Sequence, residues 1–269
     1  MESYYLIIIT GVTQGFGQAI FESIIKKYHS SESLKLNFIL LGRNKEKLNH
    51  LKTNYETKSI EINPIASLEF SDVNSINWEN INVKVRETID SEAFKASKTK
   101  KLLFFNNHGT LGDVSKNALE LEIAEIQQYL NINLTSFIYL SNLFSKWSQH
   151  ANFDEKVIIN TSSLAATTPM CNSSLYCTIK AARDMFLKVV ALEEKKTNIK
   201  TLNYAPGPME GRMQVILRSE LKDQELKTVF QNLQKEDKLV KMSDSADKLV
   251  QLVHLNEFES GAHIDFFDI

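Results

Sequence analysis

Asn133, Ser163, Tyr176 and Lys180 are residue types that can move a proton onto a carbonyl oxygen. Tyr176 and Lys180 are four apart in a helix-prone stretch, so they share one face. A free phenol has a pKa of about 10. A neighbouring ammonium is expected to lower it. Such a phenol can protonate a developing alkoxide near neutral pH. Ser163 stands thirteen residues before Tyr176 and closes an apolar run. Its hydroxyl can hydrogen-bond the carbonyl oxygen that accepts a hydride, and Asn133 can hold a water that resupplies the proton. A tyrosine and lysine at this spacing recur on ordinary amphipathic helices. The pair gains meaning only from its surroundings.

A hydride must come from a bound donor, and the N-terminus carries a pattern for one. The apolar run YYLIIIT leads straight into Thr10-Gly11-Val12-Thr13-Gln14-Gly15-Phe16-Gly17 and then a helical stretch. Gly11 and Gly15 permit a tight turn and close backbone approach to a pyrophosphate, and Gly17 permits a helix to pack on the strand. The helix N-terminus offers free N–H groups to phosphates. Gly11, Thr13, Gln14, Gly15, Phe16 and Gly17 are therefore candidate cofactor contacts. The second apolar run ends in Leu41-Gly42-Arg43-Asn44, with no acid for ribose hydroxyls. Arg43 can instead pair with a 2′-phosphate, which favours NADPH over NADH, with Asn44 beside it. Asp72 is placed to accept from an adenine amino group. Asn106 and Asn107 are placed to line the adenosine and brace the loop.

The elements that must position these residues alternate. Strands are expected over Tyr4–Thr10, Leu36–Asn44, a third run ending at Ser71–Asp72, Lys101–Asn107, Lys156–Ser163, Ile199–Gly207 and Gly261–Phe267. Helical sequence covers Gln18–Tyr28, resumes at Lys45, forms one or two helices over Leu119–Trp147, and continues over Leu175–Glu194. This alternation predicts an α/β fold, a doubly wound parallel sheet of Rossmann type, as a single domain over residues 1–269. Residues 209–243 are charged and helix-prone, and read either as a substrate lid or as a plain surface helix pair.

The composition agrees. The 269 residues are 43% apolar and 24% charged, and 31 basic against 33 acidic side chains give a net charge of −2. No basic footprint for nucleic acid is present. The longest apolar stretch near the N-terminus is too short for a membrane span. Two cysteines, Cys171 and Cys177, do not make a disulfide framework, and the histidines lack metal-ligand spacing, so no metal is expected. A cytoplasmic protein is the expectation.

Taken together, TGVTQGFG, NNHG, Asn133, Ser163, YCTIK and Pro206-Gly207 resemble the short-chain dehydrogenase/reductase family across nearly the whole chain. The resemblance implies hydride transfer to a carbonyl, the proton-transfer roles above, and a nicotinamide-ribose contact for Lys180. It also implies cofactor contacts at Pro206 and Gly207, a substrate contact at Gly207 besides Ser163 and Tyr176, and a homodimer. Four longer strings, GTLGDVSKNALEL, SSLYCTIKAARDMF, LNYAPGPM and FESGAHIDFFD, are similar to members that reduce side-chain ketones on a pterin, in the last steps to tetrahydrobiopterin. In those members an aspartate near the C-terminus anchors the pterin, and Asp265 matches it. A broad-specificity carbonyl or diketone reductase is the alternative. Three departures stand out: Gln14 where NADP-preferring members carry a basic residue, His108 in place of alanine, where it is expected to add bulk near the cofactor, and Gly211 where a threonine often contacts the carboxamide.

Overall fold

A computed structural model describes residues 2–269. The strands are β1 (Ser3–Thr10), β2 (Leu34–Leu41), β3 (Ile60–Ile65), β4 (Thr99–Asn106), β5 (Glu155–Thr161), β6 (Ile199–Ala205) and β7 (Ala262–Asp265). They form one wholly parallel sheet in the order β3-β2-β1-β4-β5-β6-β7. The doubly wound Rossmann class is as expected. The order reverses between β1 and β4, where such a sheet opens a crevice at the carboxyl ends of its strands.

The helices are α1 (Gly15–Tyr28), α2 (Lys45–Tyr55), α3 (Trp78–Asp90), α4 (Glu92–Ala96), α5 (Ile123–Leu130), α6 (Ser136–Trp147), α7 (Ser174–Glu193), α8 (Arg212–Glu220), α9 (Gln224–Lys235) and α10 (Met242–Leu255). Successive strand side chains point to opposite faces, so one run of isoleucines serves two layers. Ile7 and Ile9 pack with Phe21 of α1, Leu48 of α2 and Leu249 of α10. Leu6 and Ile8 pack with Val85 of α3, Phe144 and Trp147 of α6, and Leu187 of α7.

Several boundaries differ from expectation. The third strand ends at Ile65, not at Ser71–Asp72. The chain turns away through Ser67, which has a left-handed φ of 62°, and Phe70–Asp72 forms a 3-10 turn. Pro64 is tolerated in β3 because that strand lies at the sheet edge. β2 ends at Leu41, so Arg43 and Asn44 lie in the loop beyond it. Ser163 lies just past β5, and Pro206 and Gly207 just past β6. The stretch Leu119–Trp147 becomes α5 and α6 joined by a π turn over Asn131–Thr135. The sequence reading does not anticipate α3, α4 or α10: polar side chains dominate α3, and only Ile81, Val85, Thr88 and Ile89 of it are buried. No helix among the described residues is long and apolar enough to cross a membrane.

Candidate active site

The glycine turn joins β1 to α1. Gly15 has φ of +62°, a conformation side chains rarely adopt. A Cβ on Gly17 would lie 2.3 Å from the Gly11 carbonyl oxygen and 2.5 Å from Asn107 Nδ2, so the helix can start this close only without one. Asn107 explains the crowding. Its Nδ2 donates to Thr10 O at 3.1 Å and Gly11 O at 3.3 Å, and its Oδ1 accepts from Thr161 Oγ1 at 3.1 Å. The residue after β4 thereby ties the turn to β5. Gln14, at the N-cap of α1, makes no side-chain cap, and the first turn holds no acid. The leading N–H groups of α1 therefore face no competing side chain, which fits an anionic ligand.

Not every residue around this turn is free to touch a ligand with its side chain. Phe16 is buried and stacks on Tyr204, so its part is limited to backbone. Thr13 is half-buried. Asn44 caps α2, accepting from Lys47 N at 2.9 Å. Asn106 is fully buried and donates to Phe137 O at 3.2 Å, which corrects its expected place along the adenosine: it braces, and does not line. His108 also points inward and adds no bulk to the cofactor cleft. Its ring lies 4.3 Å from that of Phe70, with Nδ1 3.0 Å from Thr10 Oγ1 and Nε2 2.8 Å from Ser136 Oγ. Asp72 is exposed beyond β3. Arg43 is exposed and sits 3.6 Å from Glu69, an acid that strand-end reasoning did not anticipate because the chain returns to it only after β3.

The reacting groups gather at the carboxyl ends of β4 and β5. Lys180 is buried and its Nζ donates to Thr161 O at 2.5 Å. The same Nζ lies 5.5 Å from the Tyr176 ring centroid. Burial, then the Arg183 guanidinium, pushes the Lys180 ammonium down to about 7, while Asp184 opposes this. Burial also pushes the Tyr176 phenol up, against the effects of a Ser163 hydrogen bond and Arg183. The expected lowering of the phenol by Lys180 is thus not what the protein does on its own. Desolvation acts on both groups and disfavours charge on each. Ser163 Oγ accepts from Ala165 N at 3.2 Å, which directs its own proton to the Tyr176 phenol beside it or to a substrate oxygen between them. Asn133 is buried in the π turn, where Oδ1 accepts from Thr110 N at 2.8 Å and Nδ2 donates to Tyr129 O at 3.1 Å. Its amide holds the chain together before it can hold a water.

Two buried residues of this site, Arg183 and Asp184, and the half-buried His263 lie outside the sequence reading. Arg183, one turn beyond Lys180, donates from Nε to Asn133 O at 2.5 Å and from Nη2 to His108 O at 3.1 Å, with its guanidinium over Phe137. Asp184 accepts from Asn160 Nδ2 at 3.0 Å and Ser162 Oγ at 2.7 Å. His263 Nδ1 lies 2.5 Å from the other Asp184 oxygen. An arginine and an aspartate three and four residues after Lys180, on its own helical stripe, were the available signal.

α8 and α9 cover the site from outside. Leu217, Leu221 and Phe230 pack with Leu111, Val114 and the half-buried Tyr176. The excursion is closed at its neck, where Met209 bridges Val240 and Val240 N donates to Pro208 O at 2.8 Å. At its tip Lys222 N donates to Val114 O at 3.1 Å and Asp223 N to Asn172 Oδ1 at 2.8 Å. Asp265 ends β7, opposite Ala205 of β6. Its Oδ1 accepts from Phe267 N at 3.0 Å, capping the last turn. Among the described residues no group of three or more His, Cys, Asp or Glu is placed to hold a metal.

Residues 5–222 match the short chain dehydrogenase family. The chain belongs to that family. It is similar to sepiapterin reductase of Rattus norvegicus, at 34% identity over 97% of this chain and 96% of the relative. It is also similar to a benzil reductase, (S)-benzoin forming, of Bacillus cereus, at 31% identity over 95% of this chain and 96% of that one. Among solved structures, the KRED1-Pglu enzyme superposes with a TM-score of 0.78 at 21% identity, covering 97% of this chain and 100% of its own, which bears on the fold alone. The protein is therefore an oxidoreductase of a family that uses nicotinamide cofactors.

Proposed function

We propose that the protein reduces side-chain ketones on a pterin with NADPH, as a sepiapterin reductase of tetrahydrobiopterin synthesis. NADPH supplies the hydride when bound. The uncapped start of α1 would hold its pyrophosphate and Arg43 its 2′-phosphate, with Asp72 at the adenine, Asn107 bracing the loop, Lys180 at the nicotinamide ribose, and Pro206 and Gly207 at the nicotinamide end. Ser163 donates to the ketone oxygen, and Tyr176 passes its proton to the alkoxide as charge develops there. Lys180 beside the phenol favours that transfer when it carries its proton. The α8–α9 cover acts as a lid, moving to admit the substrate. Exposed Met185, Val189 and Leu192 on α7 and Tyr139 on α6 support pairing of two copies, and the reducing cytoplasm suits two free cysteines.

The observation that carries the substrate is Asp265, held on an ordered strand at the carboxyl edge of the sheet. A pterin offers an exocyclic amino group and an adjacent ring N–H, and one carboxylate can accept both. A second reading, a broad diketone reductase, has its own support. Asp265 already caps a turn, and one relative is named for reduction of benzil, a diketone. Asp265→Asn decides. On the pterin reading, activity on sepiapterin falls roughly tenfold or more while a small diketone is reduced as before. An unchanged ratio of the two activities puts the diketone reading first.

A further inference from the structure

Asn106, Asn160, Asn203 and His263 stand directly opposite one another across β4, β5, β6 and β7. A polar row of this kind is foreign to a parallel sheet buried on both faces. The three asparagines are fully buried. Asn160 Nδ2 donates to Asn203 Oδ1 at 3.0 Å, and Asn203 Nδ2 reaches the Asp184 backbone oxygen at 3.4 Å. Asp184 sits over this row as its one carboxylate. It gathers donors from β5, through Asn160, from the residue just past it, Ser162, and from β7, through His263.

The two ends of this contact belong to the two halves of the site. Asp184 lies one turn after Lys180 and two turns after Tyr176, on the same stripe of α7. His263 lies two residues before Asp265 in β7, so the strand's period puts both on one face. β7 is an edge strand of four residues, paired with β6 alone, and its own ladder is short. A charge-assisted bond from its middle to a buried helix is the strongest tie available to it.

We propose that Asp184 and His263 are a positioning pair that fixes β7, and with it Asp265, relative to Tyr176, so that a substrate held at Asp265 meets the phenol in register. The proposal rests on the reading of Asp265 as the substrate's anchor. The same carboxylate favours the charged forms of Lys180 and Arg183, so removing the tie from its α7 side would disturb the reacting end as well. The test therefore works from the β7 side, where His263 touches no reacting group.

His263→Leu keeps the bulk and deletes the donor. His263→Asn restores an amide near the place of Nδ1, while His263→Gln puts one near the place of Nε2. Each is compared with Asp265→Asn, and His263→Leu is also combined with it, by kcat and KM for sepiapterin and for a small diketone. His263→Leu should raise the sepiapterin KM roughly tenfold, with the diketone constants held within about twofold. His263→Asn should return the sepiapterin KM toward wild type and His263→Gln should not. In the double variant the second change should add little, because both act through one contact. Should His263→Leu fail to fold, the Asn and Gln variants alone carry the comparison. Equal losses on both substrates, or full additivity with a selective Asp265→Asn, would overturn the pair. A non-selective Asp265→Asn would overturn the anchor reading itself, and the proposal with it, and is recognised without reference to His263.

Discussion

The Arg43 guanidinium lies 3.6 Å from the Glu69 carboxylate, both exposed beyond the carboxyl ends of β2 and β3. β2 ends at Leu41 and β3 at Ile65, and the two loops that follow meet there. The cation proposed to read a 2′-phosphate is thus already engaged by an acid. Exposed pairs of this kind contribute at most about 1 kcal/mol, so a doubly charged phosphate can replace the carboxylate.

Arg43→Ala is expected to weaken NADPH roughly tenfold or more and NADH little, since a hydrogen bond to a charged group contributes about 1.5–3 kcal/mol. Glu69→Gln should do the reverse, tightening NADPH a few-fold by freeing Arg43 and removing a like charge. Fluorescence titration of both nucleotides against both variants measures this. Equal changes for NADPH and NADH in the Arg43 variant would show that the residue does not read the phosphate.

Tyr176→Phe should cut kcat by about 10²–10⁴, the usual worth of a general acid, with the NADPH dissociation constant held. The phenyl ring keeps the packing against Leu111 and Val114, so loss of the proton is the main change. Ser163→Ala should also lower kcat, and it removes the acceptor for Ala165 N as well. Near-normal turnover of the phenylalanine variant would end the proposed mechanism.

Much of this site was legible before the fold was known, and the misses share a cause. The glycine turn, Ser163, Tyr176 and Lys180 could be read because local sequence fixes their geometry: a strand, a tight turn, one helical face. Glu69, His108 and His263 could not, because each acquires its partner from a residue far along the chain. His108 meets Ser136 of α6, and His263 meets Asp184 of α7. The same limit applied to charge. Spacing alone puts an ammonium beside a phenol, but only the fold shows that both are desolvated, and desolvation reverses the expected shift of Tyr176. Asn106 ends a strand, a position that points both to a ligand and to bracing the loop, but its side chain faces the core and only braces.

Lys180 leads to a linkage prediction. Its value in the folded protein is about 7, against 10.5 in an unfolded chain. Between these values the unfolded chain holds a proton that the folded one releases, so stability from this group rises with pH across that window. Ribose hydroxyls accepting from Nζ would favour the charged form again. NADPH binding should therefore take up as much as about one proton near pH 8.5 and almost none below about pH 6. Calorimetry in buffers of different ionisation enthalpy reads the uptake directly. Uptake that persists in Lys180→Met would assign the proton elsewhere.

Two histidines should pull stability in opposite directions with pH. Burial, with Arg183 second, holds His108 well below the usual imidazole range, so it stays neutral in the fold. Ser136 Oγ gives its proton to Ile132 O at 2.8 Å, and so accepts from His108 Nε2. Thr10 Oγ1 accepts from the Asn107 and His108 backbone N–H groups and turns its own proton to Nδ1. That tautomer fills every bond the ring can make, and a second proton would have no acceptor. As pH falls below 6.5 the unfolded chain gains a proton that folded His108 refuses, so this residue lowers stability by up to about 1.4 kcal/mol per unit. His263 is the converse. Its hydrogen bond to Asp184 raises its value, so its contribution is complete below 6.5 and is lost as pH rises through the folded value. The deficit of His108→Asn should therefore be largest at alkaline pH and shrink in acid. The deficit of His263→Asn should be largest in acid and shrink as pH rises. Urea unfolding of both variants and the wild type at intervals from about pH 5 to 9 gives the two slopes. Slopes of the same sign would mean that one imidazole does not hold the proton its hydrogen bonds assign to it.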